Sequence, residues 1–269
     1  MNDVLGYSGR KVVITGAASG MGEAAARLLV ELGAEVHALD IGAVRVPVAQ
    51  AIRTDMKDKA SIDAALPHLP GEIHALFNCA GVPHPPFPAV DTVMINFVGL
   101  RHLSEALAPR IARGGAIASI ASTAGMGWKS NLATVRQFLA LEGFDAAAAW
   151  LAASPELNAD AYAFSKQCLI VYTMSRAGEL ARRDIRINCI SPSPTATAFM
   201  DQLTQTVPAD AISLFCPANG RFAEPHEMGA ALVLLNSRLA GFVSGLNVPV
   251  DFGYSAEVMM GQRDNLLGI

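Results

Sequence analysis

The chain is poor in the features that would declare a disulfide scaffold, a membrane protein or a nucleic-acid binder. Its four cysteines, Cys79, Cys168, Cys189 and Cys216, lie far apart with no CxxC pair. They therefore read as buried free thiols, not as a disulfide framework or a metal site. The six histidines show no metal-ligand spacing either, and no metal is expected. Apolar runs such as the one around Ala231–Leu235 stop far short of the roughly 20 residues a bilayer span needs. No basic-then-apolar signal pattern opens the sequence, so a cytoplasmic location without membrane contact is expected. Charge is sparse at 16% of residues, and the net value of −4 comes from scattered groups. No basic cluster marks a phosphate-backbone surface, which excludes nucleic acid as the expected partner and points to a small molecule. Aromatics are also few, at 6%, which makes their positions informative.

What the chain does have is apolar material, 52% of its 269 residues, enough for one sizeable core. KVVIT at 11–15 is a β-branched run followed by a glycine cluster and then by GEAAARLLVELG, which carries helix formers to a stop at Gly33. The alternation repeats. Strands are predicted at 34–40, 73–81, 115–122, 185–191 and 246–251, with helices at 61–69, 91–111, 161–183 and 225–238. Val-, Ile- and Ala-rich strands alternating with helices imply an α/β fold, a doubly wound parallel sheet covered on both faces. Ligands of such sheets bind beyond the carboxyl ends of the strands, and every motif below falls just after a predicted strand.

Two segments interrupt the alternation. Residues 126–160 read as a helical insertion before the helix that starts near 161, with helices at about 131–141 and 145–153. Residues 195–224 mix Thr, Met and Phe between a strand and a helix, as a substrate lid does.

Thr15–Gly22 reads TGAASGMG, with glycines at 16, 20 and 22. Glycine permits a tight turn and lets backbone N–H groups approach a pyrophosphate, which the N-terminus of the next helix stabilises. Alone the pattern is weak, but it sits between strand and helix, and an acid, Asp40, ends the next strand. Asp40 suits both hydroxyls of an adenosine ribose and repels a 2′-phosphate, and no Lys or Arg follows it before Arg45. NAD is the expected cofactor.

Tyr162 and Lys166 stand four residues apart, on one face of a predicted helix. A phenol titrates near 10; a neighbouring ammonium, helped by the positive charge of an oxidised nicotinamide, favours the phenolate, and lowering the phenol by about 3 units takes roughly 4 kcal/mol. On this reasoning Lys166 is expected to bring Tyr162 into the range of a general acid–base.

These motifs together resemble those of the short-chain dehydrogenases/reductases in their single-domain form. TGxxxGxG at Thr15–Gly22, Asp40, Asp55-Met56, NCAG at Asn78–Gly81, Asn96 in INFVG, Ser122 in IASTAG, YxxxK at Tyr162–Lys166 and the Pro192 turn appear in the family's order over nearly the whole chain. The resemblance implies a single NAD-binding domain of Rossmann type over 1–269. It implies Tyr162 as acid/base, Ser122 as hydrogen-bond partner of the substrate oxygen, Lys166 as aid to the tyrosine and ligand of the nicotinamide ribose, and Asn96 as holder of a proton-relay water. Cofactor contacts are implied for Gly16, Ser19, Gly20, Met21, Gly22, Asp40, Ile41, Asp55, Met56, Asn78, Ala80, Gly81, Tyr162, Lys166, Pro192, Thr195 and Thr197. Trp128 and Met200 are candidate substrate contacts, although aromatics of the insertion, with Phe138, Phe144 and Trp150, equally fit a packing role.

Three departures stand out. Pro192-Ser193 replaces the family's Pro-Gly, Asp251-Phe252-Gly253 replaces Asp-Gly-Gly, and Ser122 and Tyr162 are 40 residues apart where about a dozen is usual. The long gap, Asp40 and stretches such as HALFNCAGVP and LNVPVDFG resemble bacterial 3α-hydroxysteroid dehydrogenase/carbonyl reductases and coniferyl-alcohol dehydrogenases. The substrate implied is a small hydrophobic cyclic alcohol or ketone, with the insertion as one wall of its cleft and a homodimer or homotetramer as the assembly. The Tyr–Lys spacing of four disfavours an enoyl reductase, whose spacing is six or seven, and the glycine pattern disfavours a sugar epimerase. The remaining rival is a catalytically silent NAD-sensing module of the same fold.

Overall fold

The computed structural model describes residues 3–269. A parallel sheet of seven strands, in the order β3-β2-β1-β4-β5-β6-β7, carries helices on both faces. The chain runs β1 (Lys11–Thr15), α1 (Gly20–Glu31), β2 (Glu35–Asp40), β3 (Gln50–Arg53), α2 (Lys59–Ala65) and β4 (Ile73–Asn78). One helical stretch then follows as α3 (Ala89–Val93), a π-helical turn (Met94–Gly99) and α4 (Leu100–Leu107), leading to β5 (Ile111–Ile120). Next come α5 (Leu132–Leu139), α6 (Phe144–Ala152), the long α7 (Ala161–Ala181) and β6 (Arg186–Pro192). The lid helices α8 (Ala198–Leu203) and α9 (Ala209–Ser213) precede α10 (Pro225–Asn236), β7 (Asn247–Val250) and α11 (Tyr254–Met259). None of the described helices is long and apolar enough to cross a membrane.

Strands β1, β4 and β6 are almost wholly buried, as a sheet covered on both sides requires. One core lies between the sheet and α4, α7 and the 126–160 segment; the other lies between the sheet and α1 and α10. Helices α1 and α10 approach closely because Gly229 of α10 faces α1, where a Cβ would lie 2.8 Å from the Ala25 nitrogen.

Strand β3 does not show in the sequence pattern. QAIR has no apolar run and its exposure alternates, because it is an edge strand whose order comes from pairing with β2, Asp40 opposite Arg53. Strand β5 begins four residues earlier than its predicted start, at Ile111, through a register irregularity against β4. Phe252, standing where the resemblance expects glycine, takes φ 51° and is exposed. A bulky residue in that region is strained.

The strand order reverses between β1 and β4, and the crevice beyond their carboxyl ends is where the topology places a ligand.

Candidate active site

The loop after β1 closes against the end of β4. Gly16 has φ 69°, and a Cβ there would fall 2.6 Å from the Ala80 nitrogen. A Cβ on Gly22 would collide with the Gly16 carbonyl oxygen, so the loop must fold on glycine at both places. The Thr15 hydroxyl accepts from the backbone N–H groups of Cys79 (3.0 Å) and Ala80 (3.1 Å), tying the two strand ends together. Ser19 caps α1 without a side-chain hydrogen bond to the helix, leaving the first amides of α1 open toward the crevice.

At the end of β2 the Asp40 carboxylate accepts from the Ala18 N–H (2.8 Å) and the Gly42 N–H (2.7 Å). No helix starts there for it to cap. Two backbone donors fix the carboxylate at the rim of an elongated cleft of about 370 Å³. Gly16, Ser19, Gly20, Met21, Gly22, Asp40, Ile41, Asp55, Met56, Ala80, Gly81, Tyr162, Lys166 and Thr197 all line this cleft. Lys166 is the one basic residue in the lining, far along the chain from Asp40, while Arg53 beside Asp40 forms no ion pair with it.

Three residues expected at the cofactor lie elsewhere. Asn78 is buried within the sheet, its Nδ2 donating to Ser104 Oγ (2.9 Å) and Ser119 Oγ (3.2 Å). Pro192 and Thr195 line a second cavity instead of the cleft.

That second cavity, of about 260 Å³, adjoins the cleft and shares Met21, Tyr162, Thr197 and Phe199 with it. Ser122, at the end of β5, and Tyr162, at the start of α7, stand at its inner end. The opposite wall is apolar and comes from the lid: Phe199, Met200 and Leu203 with Val207, Ala211, Ile212 and Phe215. No residue of the 126–160 segment lines it. The expectation that the insertion walls the cleft is therefore not met, and the reason is packing. Phe138 sits 5.9 Å from Phe97, 5.0 Å from Trp150 and 5.4 Å from Phe164, so the insertion spends its aromatics on the outer faces of the π-turn and α7. Trp128 is likewise packed against the core and lies outside the cavity lining.

Lys166 is buried; its Nζ donates to the Ile120 carbonyl at 2.9 Å and lies 5.6 Å from the Tyr162 ring centroid. Burial lowers the ammonium to about 8. Tyr162 faces both cavities yet is deep enough that burial pushes its phenol up to about 12, against the opposing hydrogen bond with Ser122. The expected lowering rests on the nicotinamide charge as well as on Lys166, and the protein's groups alone push the phenol upward. Loss of solvation penalises both ions, and the lysine lies across the ring, bonded to a carbonyl, so its attraction for a phenolate does not dominate. The protein's own groups hold a neutral phenol.

Asn96 is fully buried in the π-turn. Its Oδ1 accepts from Val82 N (2.8 Å), and its Nδ2 donates to the Val82 carbonyl (2.9 Å) and to Ser165 Oγ (3.3 Å). It pins the loop after β4 to α7; its side chain does not line either cavity.

Sequence reasoning missed Thr54, Val82, Phe87, Ile95, Ile120 and Gln202 in the cleft, and His84 and most of the lid residues in the second cavity. For Thr54, Val82 and Ile120 the signal was positional, since they lie on or just beyond strand ends at the carboxyl edge of the sheet, where side-chain type is not constrained; Ile95 in the π-turn and Gln202 in α8 carried no such signal.

Residues 10–133 match the family model described as short chain dehydrogenase, and residues 146–255 match that described as Enoyl-(Acyl carrier protein) reductase. A coniferyl-alcohol dehydrogenase of a Pseudomonas species is 30% identical over 248 residues, spanning 92% of this chain and 97% of that protein. A 3-alpha-hydroxysteroid dehydrogenase/carbonyl reductase of Comamonas testosteroni is 30% identical over 254 residues, spanning 91% and 96%. The crystal structure of a 3-alpha-hydroxysteroid dehydrogenase of a Pseudomonas species, complexed with NADH, superposes with TM-score 0.78 at 26% identity, covering 93% of this chain and 98% of that one.

Proposed function

The chain belongs to the short-chain dehydrogenases/reductases, and from that premise we propose that it is an NAD(H)-dependent oxidoreductase interconverting a neutral hydrophobic cyclic alcohol and its carbonyl form. The observation that carries this reading is the position of Tyr162, which lines both the glycine-floored cleft and the apolar cavity. An acid–base group at the junction of two compartments serves a reaction between one occupant of each.

The cleft fits a dinucleotide. Glycines bring backbone N–H groups close to where a pyrophosphate would lie, and α1 presents its N-terminus there. Asp40 would take the ribose hydroxyls, and with no basic residue lining that end, a 2′-phosphate would meet only like charge. This supports NAD over NADP. When bound, the nicotinamide ring supplies the hydride acceptor or donor.

The chain's own residues handle the oxygen and its proton. Ser122 and Tyr162 hold the substrate oxygen between their hydroxyls. In the reducing direction the neutral phenol of Tyr162 donates its proton to the developing alkoxide. In the oxidising direction the phenolate removes the alcohol proton, and the buried ammonium of Lys166 stabilises that phenolate. Asn96 pins the Val82 loop and so keeps the cleft floor in place; with both amide hydrogens bonded and no contact with either cavity, its side chain does not fit the water-holding role that the resemblance implies. The cavity lining has no Asp, Glu, Lys or Arg, which disfavours a charged substrate. Relatives named for coniferyl alcohol, hydroxysteroids and cis-4-hydroxycyclohexanecarboxylate support an alcohol on a bulky or cyclic frame.

The test is an absorbance screen at the NADH band with NAD⁺ and cyclic, cinnamyl and steroid alcohols. Turnover is expected with at least one, and Tyr162→Phe is expected to lower kcat by about 10²–10⁴-fold. Full activity in the variant removes Tyr162 from the mechanism. Coenzyme binding without any turnover favours the silent sensing module instead.

A further inference from the structure

We propose that His84 is a second anchor for substrate, a neutral hydrogen-bond acceptor that selects alcohols carrying another hydroxyl group. The proposal deepens the oxidoreductase reading and rests on it. His84 lines the apolar cavity with Ser122 and Tyr162, and apart from Tyr162 it is the one ionisable side chain there.

Its chemistry follows from one contact. Nδ1 lies 2.7 Å from the Phe87 carbonyl oxygen. A carbonyl only accepts, so Nδ1 carries the hydrogen, and in the neutral ring Nε2 presents a lone pair. Among the described residues Nε2 makes no hydrogen bond, and it is not sealed inside the protein. His84 lines the cavity, and in the proposed role this unbonded acceptor faces its occupant.

Other polar groups in the lining are less selective. Thr195 Oγ1 donates to the Ser193 carbonyl (2.9 Å) and Thr197 Oγ1 to the Thr195 carbonyl (3.2 Å). A free hydroxyl both donates and accepts, whereas Nε2 in this tautomer only accepts. It therefore distinguishes a hydroxyl, which donates, from an ether or carbonyl, which does not. Pro83 and Pro85 flank His84 and restrict the backbone around it, so the acceptor is held in place before substrate arrives. Phe87 lines the cofactor cleft, so the His84–Phe87 bond spans the boundary between the compartments.

The probes are two matched pairs: cyclohexane-1,4-diol against cyclohexanol, and 4-hydroxycinnamyl alcohol against cinnamyl alcohol. Wild type is expected to favour the hydroxylated member of at least one pair by about tenfold in kcat/KM, expressed mainly in KM. His84→Phe keeps a planar ring but removes the acceptor, and the ratio within that pair is expected to fall toward one. His84→Gln, whose amide oxygen accepts, is expected to restore part of it. Equal kcat/KM within both pairs in wild type, or a ratio that His84→Phe leaves unchanged, overturns the proposal. If wild type turns over no alcohol, the oxidoreductase reading fails, and calorimetric binding of the same pairs judges His84 separately. Equal affinities within both pairs then overturn it.

Discussion

In the proposed reaction the ionisation of Tyr162 sets what the site does at a given pH. Burial raises its phenol to about 12, so the fraction present as phenolate grows as pH rises toward that value. Oxidation needs the phenolate and reduction needs the phenol. Oxidative kcat/KM is therefore expected to climb between about pH 6 and about 8, above which Lys166 loses the charge that favours the phenolate, while reductive kcat/KM stays level; an oxidative rate that declines below about pH 8 contradicts the assignment. Asp40 governs the other end of the cleft. Asp40→Ala removes the like charge facing a 2′-phosphate and the acceptor for a ribose hydroxyl, and the NAD-over-NADP ratio of kcat/KM is expected to drop by about tenfold or more, roughly 1.4 kcal/mol. An unchanged ratio would mean that coenzyme choice lies elsewhere. Both residues were legible in the sequence because each belongs to a spaced motif. The protonation of Tyr162 was not, since spacing reports only that Lys166 is near and says nothing of how little water reaches either group.

At the scale of elements, residues 195–224 line the cavity as the sequence suggests for a lid, whereas the insertion does not supply the wall expected of it. Helices α5 and α6 act as a buttress, with Phe138 fully buried against Phe97, Trp150 and Phe164. Phe138→Ala is expected to cost about 3–5 kcal/mol in denaturant unfolding, with little change in KM for substrate, because Phe138 does not line the cavity. A loss of substrate affinity without loss of stability would return the insertion to the active site. The lid does the enclosing, and its far end is held from outside: Arg263 donates to the carbonyls of Cys216 (2.7 Å) and Leu214 (3.4 Å) and pairs with Glu257 at 3.0 Å. The strand–helix alternation was readable because periodicity and β-branching set it. Strand β3 and the lid helices were not, because an edge strand and short helices take their order from neighbours that lie far away in sequence.

At the scale of the whole molecule, the insertion packs against α4 and α7, so those helices are not free to serve as an interface between copies on that side. Exposed apolar side chains gather instead around the end of α10 and β7, with Leu239, Phe242 and Leu246 among them. Sedimentation is expected to give a homodimer, and a tetramer would show that α4 and α7 still pair across copies. The two compartments impose a further condition on the whole protein. Thr197 and Phe199 belong to both linings, and Phe199 lies 5.6 Å from the Tyr162 ring, so the short helix that starts there forms a partition common to both chambers. In the proposed reaction a bound dinucleotide would settle that partition and complete the smaller chamber, so coenzyme is expected to arrive first and depart last. Steady-state inhibition by NADH should then be competitive toward NAD⁺ alone, and excess alcohol should trap the reduced coenzyme in a dead-end complex.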